Sequence, residues 1–126
     1  MLIKPKVIKN IWITGASLGI GKALSDYYAE PGITLGLLSR GSDQLQEVAD
    51  HCRRKGATVY TYVADVTDAQ ELRRCAMDFQ SRVECVDLVI ANAGIRIEED
   101  MENQDCTIPA RIMDVNYLGA INTFSP

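Results

Sequence analysis

Four short apolar segments alternate with segments of helical periodicity along this chain of 126 residues, and no other feature constrains the fold as strongly. The first segment contains Ile11, Trp12 and Ile13, which follow one another without intervening polar residues, as in strands buried on both faces. We predict strands over 7–14, 33–38, 58–63 and 86–91. Such alternation predicts an α/β fold: a doubly wound parallel sheet with right-handed crossovers and helices on both faces.

The first two helix boundaries are predicted from capping and breaking residues. A helix over 20–30 should end before Pro31 and Gly32, because proline cannot continue it. Ser42 is expected to cap the second helix. That helix should end at 55–56, where a lysine precedes a glycine.

The second half of the chain continues the same pattern. Thr67 and Gln70 fit a capping box, with Thr67 as the N-cap of the third helix. A polar loop over 96–105 should lead into a last helix that begins near Pro109. No repeat or linker divides the sequence, so residues 1–126 are expected to form a single domain.

Composition argues against several classes of protein. The formal net charge is −4, with 13 basic and 17 acidic residues, so no basic face for nucleic acid is expected. The four cysteines have no CxxC spacing and the chain has one histidine, which argues against a metal site. We expect free, buried thiols in a reducing cytoplasm. No unbroken hydrophobic segment indicates a membrane span or a secretory signal.

Three glycines lie in the stretch TGASLGIG, residues 14–21, between the first strand and the first helix. Backbone N–H groups at a helix start, together with the helix dipole, favour an anion, and glycine lets a phosphate approach the backbone closely. A Walker loop is excluded by Ala16 and Ala23, and the pattern GxGxxG fails at Leu24. The remaining pattern, TGxxxGxG, predicts either a dinucleotide site or a simple turn.

Three further stretches follow in order on the expected elements: Asp65-Val66, Asn92-Ala93-Gly94 and Met113-Asp114-Val115-Asn116. Together with TGASLGIG they resemble the short-chain dehydrogenase/reductase family, from about residue 8 onward. The resemblance reaches only the N-terminal half of such an enzyme. It implies a Rossmann-type sheet of order 3-2-1-4, truncated before a fifth strand. It also implies hydride transfer between a nicotinamide cofactor and a carbonyl or alcohol.

The resemblance also implies which residues contact the cofactor. Around the pyrophosphate and the adenosine ribose it places Gly15, Ser17, Gly19, Ile20 and Gly21. Asp65 would accept a hydrogen bond from the adenine amino group, with Val66 beside the ring. Asn92, Ala93 and Gly94 would line the adenosine side. Asp65 and Asn92 have ordinary alternatives, as a residue before a helix and as a turn former.

Asn116 matches the family's active-site asparagine, which holds water in a proton relay. Without the resemblance, Asn116 would be interpreted as a polar residue on the surface of a helix. It is the single candidate catalytic residue in the chain.

The end of the second strand bears on the choice of cofactor. A carboxylate there binds the ribose diol and repels a 2′-phosphate, whereas arginine does the reverse. Ser39 and Arg40 occupy this place, and Arg40 can hold a phosphate with paired donors. Leu18 stands where many NADP-preferring members carry a second basic residue. We predict NADP(H) over NAD(H), with a solvated Arg40 as the alternative.

The family's proton donor has no counterpart in this sequence. Its tyrosine is followed four residues later by a lysine, and none of the five tyrosines here has that partner. The family's serine would lie on a later strand. We therefore expect the chain to be inactive by itself. A bare edge on the fourth strand should favour a homo-oligomer. The alternative function is a non-catalytic nucleotide-binding or interaction module.

Overall fold

The computed structural model describes residues 7–94 and 113–124 of the chain. The strands are β1 (Asn10–Thr14), β2 (Thr34–Ser39), β3 (Thr58–Val63) and β4 (Leu88–Ala91). The helices between them are α1 (Gly19–Tyr28), α2 (Ser42–Arg54) and α3 (Ala69–Arg82). The last helical segment contains a π-helical stretch, π1 (Asp114–Leu118), which follows the helical residue Met113 and continues as α4 (Gly119–Phe124).

The four strands form one parallel sheet in the order β3-β2-β1-β4. In its register, Ile11 lies between Leu35 of β2 and Leu88 of β4. This arrangement confirms the predicted α/β Rossmann-type fold and its strand order. The chain runs outward from β1 to β3 and then returns to add β4 on the other side. The strand order therefore reverses between β1 and β4, where open α/β sheets bind ligands at the carboxyl ends of their strands.

Apolar side chains cover both faces of the sheet, as the uninterrupted strand sequences predict. On one face, Ile11 and Leu35 are fully buried against residues of α1 and α2. On the other, Trp12 packs against Phe79 of α3, with ring centroids 5.4 Å apart, in a cluster that also includes Val115 of π1. Helices on both faces are therefore confirmed.

Boundaries of β1, α1 and β2 differ from the predictions by one to three residues. β1 begins at Asn10 and not at residue 7, because the N–H groups of Lys9 and Asn10 donate to the carboxylate of Asp87. α1 ends at Tyr28, and the N–H of Ala29 closes its last turn. β2 covers 34–39 and not 33–38.

Both predicted helix caps are wrong. The N-cap of α3 is Asp68, whose carboxylate accepts from the N–H of Glu71 at 3.1 Å. The hydroxyl and N–H of Thr67 instead donate to Asp65 Oδ1, which takes Thr67 out of the capping position. Ser42 is the first residue of α2, and its N-cap is Gly41.

β4 is shorter and more exposed than predicted. It begins at residue 88 and not at 86, and its residues are half-buried because, within residues 7–94 and 113–124, it pairs with β1 alone. Cys85, just before it, is exposed, contrary to the prediction of buried thiols. Cys52 and Cys75 are buried, and burial raises the pKa of both thiols. The predicted loop over 96–105, the helix start near Pro109 and Cys106 lie outside the described residues.

Membrane-spanning helices and clusters of metal ligands are both absent from the described residues. None of the helices in these two ranges is both long enough and apolar enough to cross a membrane. Within the same ranges, no three His, Cys, Asp or Glu side chains are grouped so as to hold a metal ion.

A polar cluster ties α1 to α2 on the outside of the sheet. Asp26 Oδ1 lies 2.6 Å from Nε2 of His51 and accepts a hydrogen bond from Lys55 Nζ at 3.1 Å. These bonds, first from Lys55 and then from His51, hold the pKa of the Asp26 carboxyl below its ordinary value. The ionised carboxylate is therefore favoured by folding.

This lowered pKa predicts a pH-dependent contribution to stability. Because the folded pKa lies below the unfolded one, Asp26 stabilises the fold above about pH 4 and loses that effect as the pH falls through the folded pKa. Asp26→Asn should lower the thermal midpoint near neutral pH, and its difference from wild type should shrink below about pH 4. Glu30→Gln is the control, since no ion pair is recorded for Glu30 in the described part of the chain. An Asp26→Asn difference that is constant with pH would contradict the assignment.

Candidate functional site

A cavity of about 430 Å³ opens at the carboxyl ends of the strands, where the four strand-to-helix connections meet. Its lining includes every predicted cofactor residue except Gly21. After β1 these are Gly15, Ser17, Leu18, Gly19 and Ile20; after β2, Ser39 and Arg40; after β3, Asp65 and Val66; after β4, Asn92, Ala93 and Gly94. Residues far apart in the sequence thus come together at one site.

The N-terminus of α1 forms one wall of this cavity. Leu18 is its N-cap, no side chain of the described residues caps it, and the first turn contains no acidic residue. Gly19 has a φ of +55°, and apart from its chain neighbours and the backbone of its own helix no described heavy atom lies within 4 Å of the position that a Cβ would take. Free amides, an uncompensated dipole and open space above Gly19 form an arrangement that suits an anion.

Gly21 lies beneath the loop and does not line the cavity. A Cβ at this position would be 2.0 Å from the carbonyl oxygen of Gly15 and 2.6 Å from Asn92 Nδ2. Only glycine permits α1 to pack this closely under the loop. Its role in the described structure is therefore to support the residues that line the cavity.

Hydrogen bonds fix the connection after β4 to the glycine loop. The Thr14 hydroxyl oxygen accepts from the N–H groups of Asn92 and Ala93, each at 3.2 Å. The Asn92 side chain donates from Nδ2 to the carbonyl oxygen of Gly15 at 3.2 Å. Asn92 therefore holds two walls of the cavity together. The sequence alternative was a turn former that binds neighbouring backbone, and here the side chain binds backbone that is distant in sequence.

Asp65 has a defined orientation at the end of β3. Its Oδ1 accepts from the N–H of Thr67 at 2.9 Å and from the Thr67 hydroxyl at 2.8 Å. The carboxylate is thereby held at the edge of the cavity, with Arg40 as the charged residue of opposite sign in the lining.

Asn116 lies in π1, next to the cavity but not in its lining. Its Oδ1 is 3.2 Å from the position that a Cβ on Gly94 would occupy, so the absence of a side chain at Gly94 leaves room for it. Val115, beside it in sequence, is buried and lines the cavity. The last helix is anchored by Asn122, whose Nδ2 donates to the carbonyl of Val66 at 2.9 Å. Inserted π-helical turns occur frequently at functional sites.

Several residues of the lining were not predicted from the sequence: Leu38, Gly41, Gln44, Ala64 and Val115. Leu38 and Ala64 adjoin predicted residues at strand ends. Gln44 is the only residue of α2 in the lining of the described structure. The signal for it was the short connection of two residues between β2 and α2, which brings the first turn of α2 to the cavity.

Comparison with known proteins identifies what this chain resembles. A model of the short chain dehydrogenase family matches residues 9–125. The chain is 36% identical over 117 residues to 11-beta-hydroxysteroid dehydrogenase 1A of Arabidopsis thaliana, with 91% of this chain and 34% of that protein covered.

Solved structures show the same fold. A short-chain type dehydrogenase/reductase from Mycobacterium marinum has a TM-score of 0.84 and 33% identity, covering 93% of this chain and 47% of that one. An NADH-dependent reductase complexed with NAD has a TM-score of 0.78 and 29% identity, covering 93% and 49%. The chain thus spans about a third of the length of the curated relative and about half of these solved chains.

Proposed function

Because the chain belongs to the short-chain dehydrogenase family, we propose that its cavity binds NADP(H) for hydride transfer between this cofactor and a carbonyl or alcohol. Residues 1–126 are proposed to belong to one cofactor-binding domain. The single observation that carries the proposal is the uncapped N-terminus of α1, which lines a cavity at the point where the strand order reverses.

The residues present fit such a cofactor. The amides of Gly19 and Ile20 at the N-terminus of α1 suit a pyrophosphate, and the open space at Gly19 lets it approach the backbone. Asp65, Val66 and the residues after β4 form the wall proposed for the adenosine. A bound nicotinamide ring would supply or accept the hydride.

Arg40 supports the preference for NADP(H). It lines the cavity directly after β2, where no carboxylate competes for the ribose diol. Its planar guanidinium suits a phosphate, which accepts paired hydrogen bonds. The NADH-dependent reductase among the structural relatives makes NAD(H) the alternative to be tested.

Fluorescence titration of the purified chain with NADPH and with NADH tests this proposal. We expect NADPH to bind at least about tenfold more tightly, the difference of about 1.4 kcal/mol that one extra charge-assisted interaction provides. Tighter binding of NADH would contradict the cofactor preference. Binding of neither would contradict the function and favour the alternative, a non-catalytic interaction module.

Asn116 is the proposed catalytic residue, as a holder of water beside Gly94. The sequence contains no tyrosine with a lysine four residues later that could donate a proton. A positioned proton donor contributes about 10²–10⁴-fold, and an oxyanion donor a comparable factor. We therefore propose that these 126 residues bind cofactor but do not turn over substrate by themselves.

The predicted lack of turnover can be measured directly. Consumption of NADPH by the purified chain, with a panel of ketones and aldehydes, should equal the rate without protein. A complete short-chain reductase, assayed in parallel, shows that the panel can report activity. Turnover that rises in proportion to the concentration of the chain would contradict the proposal.

We further propose that the chain is a cytoplasmic homo-oligomer. The last helical segment presents large apolar side chains that are 43–61% exposed: Met113, Tyr117, Leu118, Ile121 and Phe124. The outer edge of β4 has no strand partner within the described structure. A patch of this kind is typical of a surface that associates.

Sedimentation velocity tests the proposed association. The wild-type chain should sediment as a dimer or larger species, and the double variant Leu118→Glu, Ile121→Glu should shift to the monomer because buried carboxylates are costly. Met77→Glu, at a 58% exposed site on α3, provides the matched control and should not change the mass. A wild-type chain that stays monomeric at high concentration would contradict self-association.

A further inference from the structure

Gln44 lies at the part of the cavity that the proposed function assigns to the adenosine ribose. It is in the first turn of α2 and lines the cavity together with Arg40 and Gly41. Its Oε1 is 3.5 Å from the position that a Cβ on Gly41 would take, so the amide is folded back toward the β2–α2 connection. No hydrogen bond of this side chain is recorded among the described residues. The amide is therefore not committed to a protein partner there, and a flip about its last torsion angle would turn the Nε2 donors to the side where Oε1 now lies.

The other polar side chains at this end of the cavity differ from Gln44 in what they can offer. The Ser39 hydroxyl donates to the carbonyl oxygen of Gly41 at 3.1 Å, so its proton is already in use. A carbonyl cannot donate, which fixes the direction of this bond. Asp43 is not in the lining. Arg40 and Gln44 are therefore the side chains at this end of the cavity that carry N–H hydrogen-bond donors.

A phosphate dianion only accepts hydrogen bonds, so N–H donors are what it requires. We propose that Gln44 is a further specificity-determining residue, which donates its side-chain amide to the 2′-phosphate of the cofactor alongside Arg40. This inference rests on the proposed function. The neutral amide at position 44 can donate to a phosphate, whereas a carboxylate there would repel it.

Gln44→Glu tests the assignment, since it keeps the shape of the side chain, adds a negative charge and replaces the N–H donors with acceptors. The probes are adenosine 2′,5′-bisphosphate and adenosine 5′-monophosphate, titrated into the full 126-residue chain. We expect the affinity for the bisphosphate to fall at least about tenfold, and that for the monophosphate to change less than about twofold. Gln44→Leu, which removes the donors without adding charge, should weaken the bisphosphate about threefold to tenfold.

Gln46→Glu is the matched control. It makes the same change on the same helix, at a side chain that donates to Thr61 Oγ1 at 3.1 Å and does not line the cavity. Equal losses in Gln44→Glu and Gln46→Glu would show a general effect of charge and overturn the proposal. So would an unchanged bisphosphate affinity in Gln44→Leu. If wild type binds neither probe, the proposed function itself fails, and this inference fails with it.

Discussion

Replacing Arg40 with glutamate is expected to weaken NADPH binding by about a hundredfold or more. The variant loses the charge-assisted hydrogen bonds of the guanidinium and places a carboxylate where the 2′-phosphate is proposed to lie. A loss of about 3 kcal/mol corresponds to this factor. NADH has no 2′-phosphate, so its affinity should change little or rise, because the new carboxylate can accept from the ribose diol. Titration with both cofactors measures the reversal.

A control for the change in overall charge is available on α3. Arg73→Glu makes the same substitution at an exposed position outside the cavity lining, and it should leave both affinities unchanged at moderate salt. If Arg40→Glu weakened NADPH no more than Arg73→Glu does, Arg40 would be the solvated loop residue that the sequence also allowed.

Gly21→Ala is expected to destabilise the fold by about 3 kcal/mol, the upper range for inserting a methyl group into a packed site. In an ordinary helix this change is favourable by about 1 kcal/mol. Here the new Cβ would be 2.0 Å from the carbonyl oxygen of Gly15, which is backbone and cannot rotate away. Displacing that carbonyl would also disturb its bond from Asn92 and hence the loop. Urea denaturation measures the free energy of unfolding.

Gly19→Ala serves as the comparison, because the two glycines are two residues apart in the same helix. At Gly19 no side chain or backbone from another part of the described structure would contact the methyl group, and the cost is that of the positive φ, about 1 kcal/mol. Equal stabilities of the two variants would show that the close packing at Gly21 is absent in solution.

The strands were predictable because a strand that is buried on both faces requires an uninterrupted run of apolar residues. Ile11, Trp12 and Ile13 read as a buried strand, and they are buried. The start of α3 was less predictable because Thr67 and Asp68 are both good N-caps. Which of the two caps the helix depends on Asp65, which accepts a hydrogen bond from the Thr67 hydroxyl. Asp68 is then the residue that caps the helix. Which of two neighbouring side chains caps a helix depends on the course of the backbone in three dimensions, and the sequence does not give that course.

The cavity was also predictable only in part. Its glycine loop could be located from TGASLGIG, but the sequence does not distinguish Gly19, which faces open space, from Gly21, which packs against Gly15. Gln44 was missed because its position depends on how α2 is oriented after a short connection. The π-helical turn at Asn116 also leaves no periodic signal, since π1 is a single stretch of five residues.

The central claim is that the N-terminus of α1 binds the diphosphate of a nicotinamide cofactor. A crystal structure of the chain with NADPH tests it most directly. The account predicts density for the pyrophosphate against the amides of Gly19 and Ile20 at the N-terminus of α1, with the adenosine between Arg40 and Asp65. A pyrophosphate bound elsewhere, or a cleft closed by the chain's own backbone at saturating NADPH, would contradict it.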